Sequence, residues 1–151
     1  MTNNKYKILV LSDLKDTAST ILKSTVGLAK IIDGAINVFY VRDPSDVVKN
    51  ENQLSAVRSI NEDYKITEKK IQRLIEPISL NYDINIDCDF TFGNVKNEIE
   101  TYLKEHKPDI IVLGKRKSKI FKLIGDNVTD FVLDKHNGVI MLATDKNMLE
   151  P

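Results

Sequence analysis

A chain of 151 residues with 42% hydrophobic and 29% charged side chains can bury a core and is too apolar for wholesale disorder, so we read residues 1–151 as one globular domain. Twenty-two basic residues balance 22 acidic ones. Zero net charge excludes the chain-wide positive field of a dedicated nucleic-acid or membrane-surface binder, so any charged partner must be drawn by a local patch. No run approaches the roughly 18 apolar residues of a membrane span, the polar start MTNNKYKILV lacks a secretory pattern, and Cys88 is the single cysteine. Together these features predict a cytoplasmic protein with a reduced thiol.

In chain order, Ile8-Leu9-Val10-Leu11 is a short apolar run followed by Ser12-Asp13, the pattern of a strand buried on both faces. From Thr17 to Asp33, Ile21, Leu22, Leu28, Ala29 and Ile32 recur at helical spacing, and Gly34 offers the stop. Ile36 to Val41 reads as a second strand, ended by Arg42-Asp43-Pro44. The charged segment Asn52 to Ile78 carries Ile60, Tyr64, Ile71, Leu74 and Ile75 on one face, which predicts an amphipathic core helix that Pro77 bends or ends.

Ile84, Ile86, Cys88 and Phe90 then alternate with Asn85, Asp87 and Asp89. That period of two predicts a strand exposed on one face, at a sheet edge, with Cys88 turned to the core. Gly93-Asn94 opens a third helix to about Lys107, with Val95, Ile99, Tyr102 and Leu103 apolar, and Pro108-Asp109 breaks it. Ile110 to Leu113 is a fourth buried strand ending at Gly114, a basic loop covers Lys115 to Lys122, and a last helix runs from Asn127 to Lys135. Val139 to Leu142 closes the series as a fifth strand. Strands alternating with helices of this length predict a parallel sheet.

The common nucleotide fingerprints are missing. The turn after the first strand, Leu11-Ser12-Asp13-Leu14-Lys15, holds no G-x-G-x-x-G, and Gly114-Lys115 is no Walker loop, with Asp109 at the first glycine position and Arg116 at the hydroxyl position. His106 and His136 sit at predicted helix C-termini, where they favour the helix dipole. With one cysteine and no paired-histidine spacing, no metal site is expected. No residue set points to catalysis, so the reading leans away from an enzyme.

Five segments in order carry a resemblance over nearly the whole chain: K-I-L-V-L-S-D at 7–13, G-L-A-K-I-I-D-G-A-I-N-V-F-Y-V at 27–41, F-G-N-V-K-N-E-I at 92–99, P-D-I-I-V-L-G-K-R at 108–116 and G-D-N-V-T-D-F-V-L at 125–133. Together they resemble the universal stress protein family. The resemblance implies a Rossmann-like, adenine-nucleotide alpha-hydrolase-like α/β fold: a five-stranded parallel sheet, order 3-2-1-4-5, with helices on both faces. Its ligand crevice would lie at the carboxyl ends of strands 1 and 4, where the strand order reverses. Positions like Asp13 and Val41 hold the nucleoside in nucleotide-binding members, and a glycine-rich loop ending in G-[ST] carries the phosphates.

That loop departs from the pattern here. Gly114 is kept, but Lys117 stands at the second glycine position, Gly125 arrives early and Asp126 follows it. Aligned through the last helix, Asn127 matches the hydroxyl residue and is a competent helix cap. Asp126 would set a carboxylate near the phosphates, where like charges repel. Leu14 and Lys15 also replace small residues after Asp13.

The expectation is therefore a non-enzymatic regulatory or interaction module in the stress response, with no cofactor and weak or absent ATP binding. The alternative on the same fold is an ATP- or AMP-binding sensor or slow ATPase. Lys115, Arg116, Lys117, Lys119 and Lys122 are either a solvated loop or a site for a small anion or phosphorylated molecule. The fifth strand is wholly apolar yet placed at the sheet edge, which predicts a homodimer through Val139 to Leu142.

Overall fold

The computed structural model describes residues 6–15, 17–48, 53–115, 132, 135 and 138–144. The elements are β1 (Tyr6–Leu11), α1 (Ala18–Ile32), β2 (Gly34–Arg42), α2 (Gln53–Tyr82), β3 (Ile86–Phe92), α3 (Val95–His106), β4 (Ile110–Lys115) and β5 (Val139–Thr144). The strands form one sheet in the order β3-β2-β1-β4-β5. Every neighbouring pair is parallel. The expected last helix lies largely outside the described residues; Val132 and Lys135 are helical.

Ile8, Leu9 and Val10 are all buried because both sheet faces are covered. Even-numbered positions of β1, β2 and β4 (Ile8, Val10, Ile36, Val38, Ile110, Val112) pack on α1 through Ile21, Leu22, Val26 and Ala29, and on Ile78 of α2. The odd-numbered Leu9, Phe39, Ile111 and Leu113 pack on Ile99 and Tyr102 of α3 and on Val132. Each such side chain contributes about 1.5–3 kcal/mol by leaving water. Ile111 on β4 is fully buried, and its truncation to Ala should cost about 2–5 kcal/mol.

Helix ends follow local chemistry, with one revision. Gly34 is not the stop of α1. Asp33 closes the helix in the left-handed conformation (φ 59°), its N–H bonded to the Ala29 carbonyl, and Gly34 already begins β2. Gly34 is needed there for space, since a Cβ would meet Ile8 Cδ1 at 2.5 Å. Asn94 caps α3 as expected, its side chain accepting from Asn97 N, and Lys107 ends it at φ 44°.

Helix α2 corrects a second expectation. Pro77 neither ends it nor leaves it at Ile78; the helix continues to Tyr82 with Pro77 inside. The ring sits on the exposed side while Ile71 and Ile78 anchor the other side to the core, so packing offsets the missing N–H. Strand β3 consequently begins at Ile86 rather than Ile84. Ile84 belongs to the connection, where its N–H bonds to Ser79 O and its carbonyl accepts from Ser79 Oγ. Tyr64, expected in the core, is 44% exposed and leans on Phe90 with ring centroids 4.7 Å apart.

Candidate functional site

The reversal of strand order falls at β1, with β2 on one side and β4 on the other. Leu11 is level with Phe39 of β2 and Leu113 of β4. Asp13, Val41 and Lys115 each lie two residues further on, so all three reach the same carboxyl edge, as does Gly114. Gly114 does not end β4: the strand continues to Lys115, with Gly114 paired to Ala143 and Lys115 to Thr144. Arg116, Lys117, Gly125 and Asn127 lie outside the described residues.

Asp13 does not end β1, which stops at Leu11. A tight turn follows. Ser12 N donates to Phe39 O at 3.1 Å, Ser12 Oγ accepts from Leu14 N at 3.0 Å, and Asp13 Oδ1 accepts from Lys15 N at 2.9 Å. Lys15 O then accepts from Ala18 N at 2.9 Å, leading into α1. These bonds hold Leu14 at φ 57°, a left-handed conformation that costs a residue with a Cβ about 1–2 kcal/mol. A strained leucine at the mouth of a switch-point crevice is the kind of backbone feature that marks a site.

Val41 belongs to the odd-numbered face of β2 and packs against the Leu9 cluster. Tyr40 and Arg42 face the other way. Arg42 Nε and Nη2 donate to Asp63 of α2 at 3.2 and 3.3 Å, and Thr67 Oγ1 donates to the same carboxylate at 3.3 Å. Burial holds the Tyr40 hydroxyl above its ordinary range, against the opposing pull of Arg42. Below Arg42, Asp43 accepts from Ser45 N and Oγ at 3.0 and 2.8 Å, and these bonds hold its carboxyl below the usual range. The Arg42–Asp63 clamp joins residues 21 apart in sequence; the single signal for it was a charged residue closing a strand opposite a charged helix.

The model of the universal stress protein family matches residues 6–137. The chain belongs to that family. No protein of curated function matches it by sequence. Among solved structures, this universal stress protein is similar to universal stress protein UspA from Lactobacillus plantarum, at 20% identity and a TM-score of 0.74, with 93% of this chain and 99% of that one covered. It is also similar to the universal stress protein from Archaeoglobus fulgidus in complex with dAMP (16% identity, TM-score 0.59, covering 91% of this chain and 96% of that one). A family member from Arabidopsis thaliana with AMP bound gives 16% identity and a TM-score of 0.58, covering 97% of this chain and 95% of that one. At such identities the likeness carries the fold.

Among the described residues, this edge of the sheet thus brings together the Asp13 carboxylate held in its turn, the apolar Val41 and the carboxyl end of β4. A carboxylate beside an apolar side chain can orient the hydroxyls of a small ligand. Among the described residues, no group of three His, Cys, Asp or Glu side chains could hold a metal ion, and no helix is long and apolar enough to cross a membrane.

Proposed function

We propose that this universal stress protein is a non-enzymatic regulatory or interaction module of the stress response whose crevice takes adenine nucleotides weakly. The carrying observation is the β1–α1 turn, where a half-buried leucine, Leu14, is held in a strained left-handed conformation beside Asp13. A bulky side chain there narrows the space for a nucleoside. Lys117 and Asp126, in place of a glycine and a hydroxyl residue, remove backbone freedom and add negative charge where phosphates would lie. Titration calorimetry with ATP and Mg²⁺ tests the reading, and a dissociation constant in the low micromolar range overturns it.

The second reading, a nucleotide-binding sensor or slow ATPase, is supported by the AMP and dAMP complexes of the similar structures. Protein purified from cells and then denatured would release nucleotide under that reading and none under the first. The basic residues after Gly114 would then carry the phosphates or another small phosphorylated anion.

We also propose a homodimer through β5. The strand lies at the sheet edge, and Val139 and Met141 are 55% and 40% exposed. Two apolar side chains on one side of an edge strand favour pairing with a second copy. Light scattering at micromolar concentration should give twice the chain mass; a monodisperse monomer sinks the idea. A reducing cytoplasm fits Cys88, a free and half-buried thiol.

A further inference from the structure

The two edges of the sheet differ in chemistry. β5 exposes Val139 and Met141, whereas β3, at the other edge, alternates half-buried Cys88, Phe90 and Phe92 with exposed Asp87 and Asp89. The first set turns to the α2 side, where Tyr64 leans on Phe90 and the Phe90 and Phe92 ring centroids stand 6.4 Å apart. Asp87 and Asp89 turn to the α3 side. The Tyr102 hydroxyl donates to Asp89 at 2.8 Å, and Asn37 Nδ2 donates to Asp89 at 3.3 Å and to that hydroxyl. The Tyr102 ring is itself stacked between Phe39 and His106, with centroid separations of 4.0 and 3.9 Å. One carboxylate is thus fixed in place, while Asp87 makes no hydrogen bond or ion pair among the described residues.

β3 pairs with β2 alone, in parallel, from Ile36↔Ile86 to Arg42↔Phe92. Gly93 N donates to Arg42 O at 3.0 Å, which sets the phase of the ladder. Backbone groups of alternate residues point the same way, so those of Asp87, Asp89 and Thr91 turn to β2. Those of Cys88, Phe90 and Phe92 turn outwards. Among the described residues only the Phe92 carbonyl has a partner there, accepting from Thr91 Oγ1 at 3.4 Å. Such an edge is a template for another strand.

A second copy is the wrong occupant. Two β3 strands paired antiparallel about a two-fold axis at Cys88 would set Asp87 of each opposite Asp89 of the other, and like charges so placed destabilise the pair. We propose that the β3 edge docks an extended segment of a partner protein in which basic and apolar residues alternate, added to the sheet as a sixth strand. Its basic side chains meet Asp87 and Asp89 on one face, and its apolar ones lie beside Phe90 and Phe92 on the other. This rests on the interaction-module reading above, names its partner class, and uses none of the crevice residues.

The test is a titration of ¹⁵N-labelled protein with the acetylated, amidated heptapeptide of alternating lysine and valine. Saturable amide shifts centred on Cys88, Phe90 and Phe92 are expected, with a dissociation constant of roughly 0.1–1 mM, the weak range of a short peptide that must be ordered. The same peptide with glutamate for lysine should not bind. Two further versions, N-methylated at every valine or at every lysine, each remove the N–H groups of one peptide edge, and one of the two should lose binding. Asp87 is exposed, so Asp87→Lys should fold normally and weaken binding roughly fivefold. Equal binding of the glutamate peptide, parental binding by both methylated peptides, unchanged affinity in Asp87→Lys, or no saturable shift overturns the proposal. The ATP titration reads the crevice instead, so either result can fail without the other.

Discussion

Two regions of the sheet solve different problems with similar residue types. At the carboxyl end, Ser12 and Asp13 spend their side chains on backbone N–H groups only two residues away, and the result is a strained Leu14. Over the middle of the sheet, Asn37, Asp89 and Tyr102 spend theirs on one another across β2, β3 and α3, joining residues 65 apart. Local bonds fix a backbone conformation, whereas long-range bonds fix how separate elements dock. The first kind builds a crevice that can change without loss of the fold. The second kind is part of the fold.

That contrast sets the order of expected effects. Tyr102→Ala removes a 7%-exposed ring from between two others, and should cost about 3–5 kcal/mol in urea unfolding. Tyr102→Phe keeps the stack but removes the hydroxyl's bonds to Asn37 and Asp89, and should cost about 1–2 kcal/mol. A cost below that for Tyr102→Phe would mean the network is incidental.

Alkaline pH should act on the same region. Burial pushes the Cys88 thiol up to about 12 from an ordinary value of 9.0. Burial, then the bond to Asp89, also raises the Tyr102 hydroxyl. The unfolded chain gives up these protons first, so the folded state binds more protons. Its advantage is complete below about pH 9 and is lost as pH climbs towards 12. Melting temperature should therefore fall between pH 9 and 11, and fall less in Cys88→Ala. At pH 8 the thiol should react slowly with a disulfide reagent.

The crevice end should be the more tolerant. Asp13→Ala removes one turn bond and should cost under about 1 kcal/mol. Leu14→Gly relieves the positive φ but loosens the unfolded chain, for a net gain of about 0.5 kcal/mol, while Leu14→Val should lose stability. If Leu14 narrows the crevice, Leu14→Gly will also tighten AMP binding. A melting temperature that drops in Leu14→Gly would show that the leucine side chain is holding the turn.

Much of the fold was legible because burial repeats with the period of the element. The alternation of Ile86 and Cys88 with Asp87 and Asp89 marked an exposed strand, and β3 is at the edge. The runs at Ile8 and Ile110 marked strands covered on both faces. Two of the errors were of one sort. Pro77 and Gly34 were read by backbone preference, but in α2 the packing of Ile71 and Ile78 outweighs the proline, and Gly34 serves the close approach of Ile8.

The sequence by itself determined the element order, the faces each strand buries and the family, since these rest on local spacing and on five segments kept in order. Which partner each polar residue meets was decided by the tertiary structure. Asn37 is one polar position in an apolar strand until the β2–β3 register sets it beside Asp87 and α3 brings Tyr102 over it. Arg42 meets Asp63 because α2 crosses back over the end of β2. Leu14 is ordinary in sequence and strained in structure because three bonds in the turn leave it no other conformation. Periodicity averages over a face, but a pairwise contact depends on the register of elements far apart in the chain, and no local pattern carries that register.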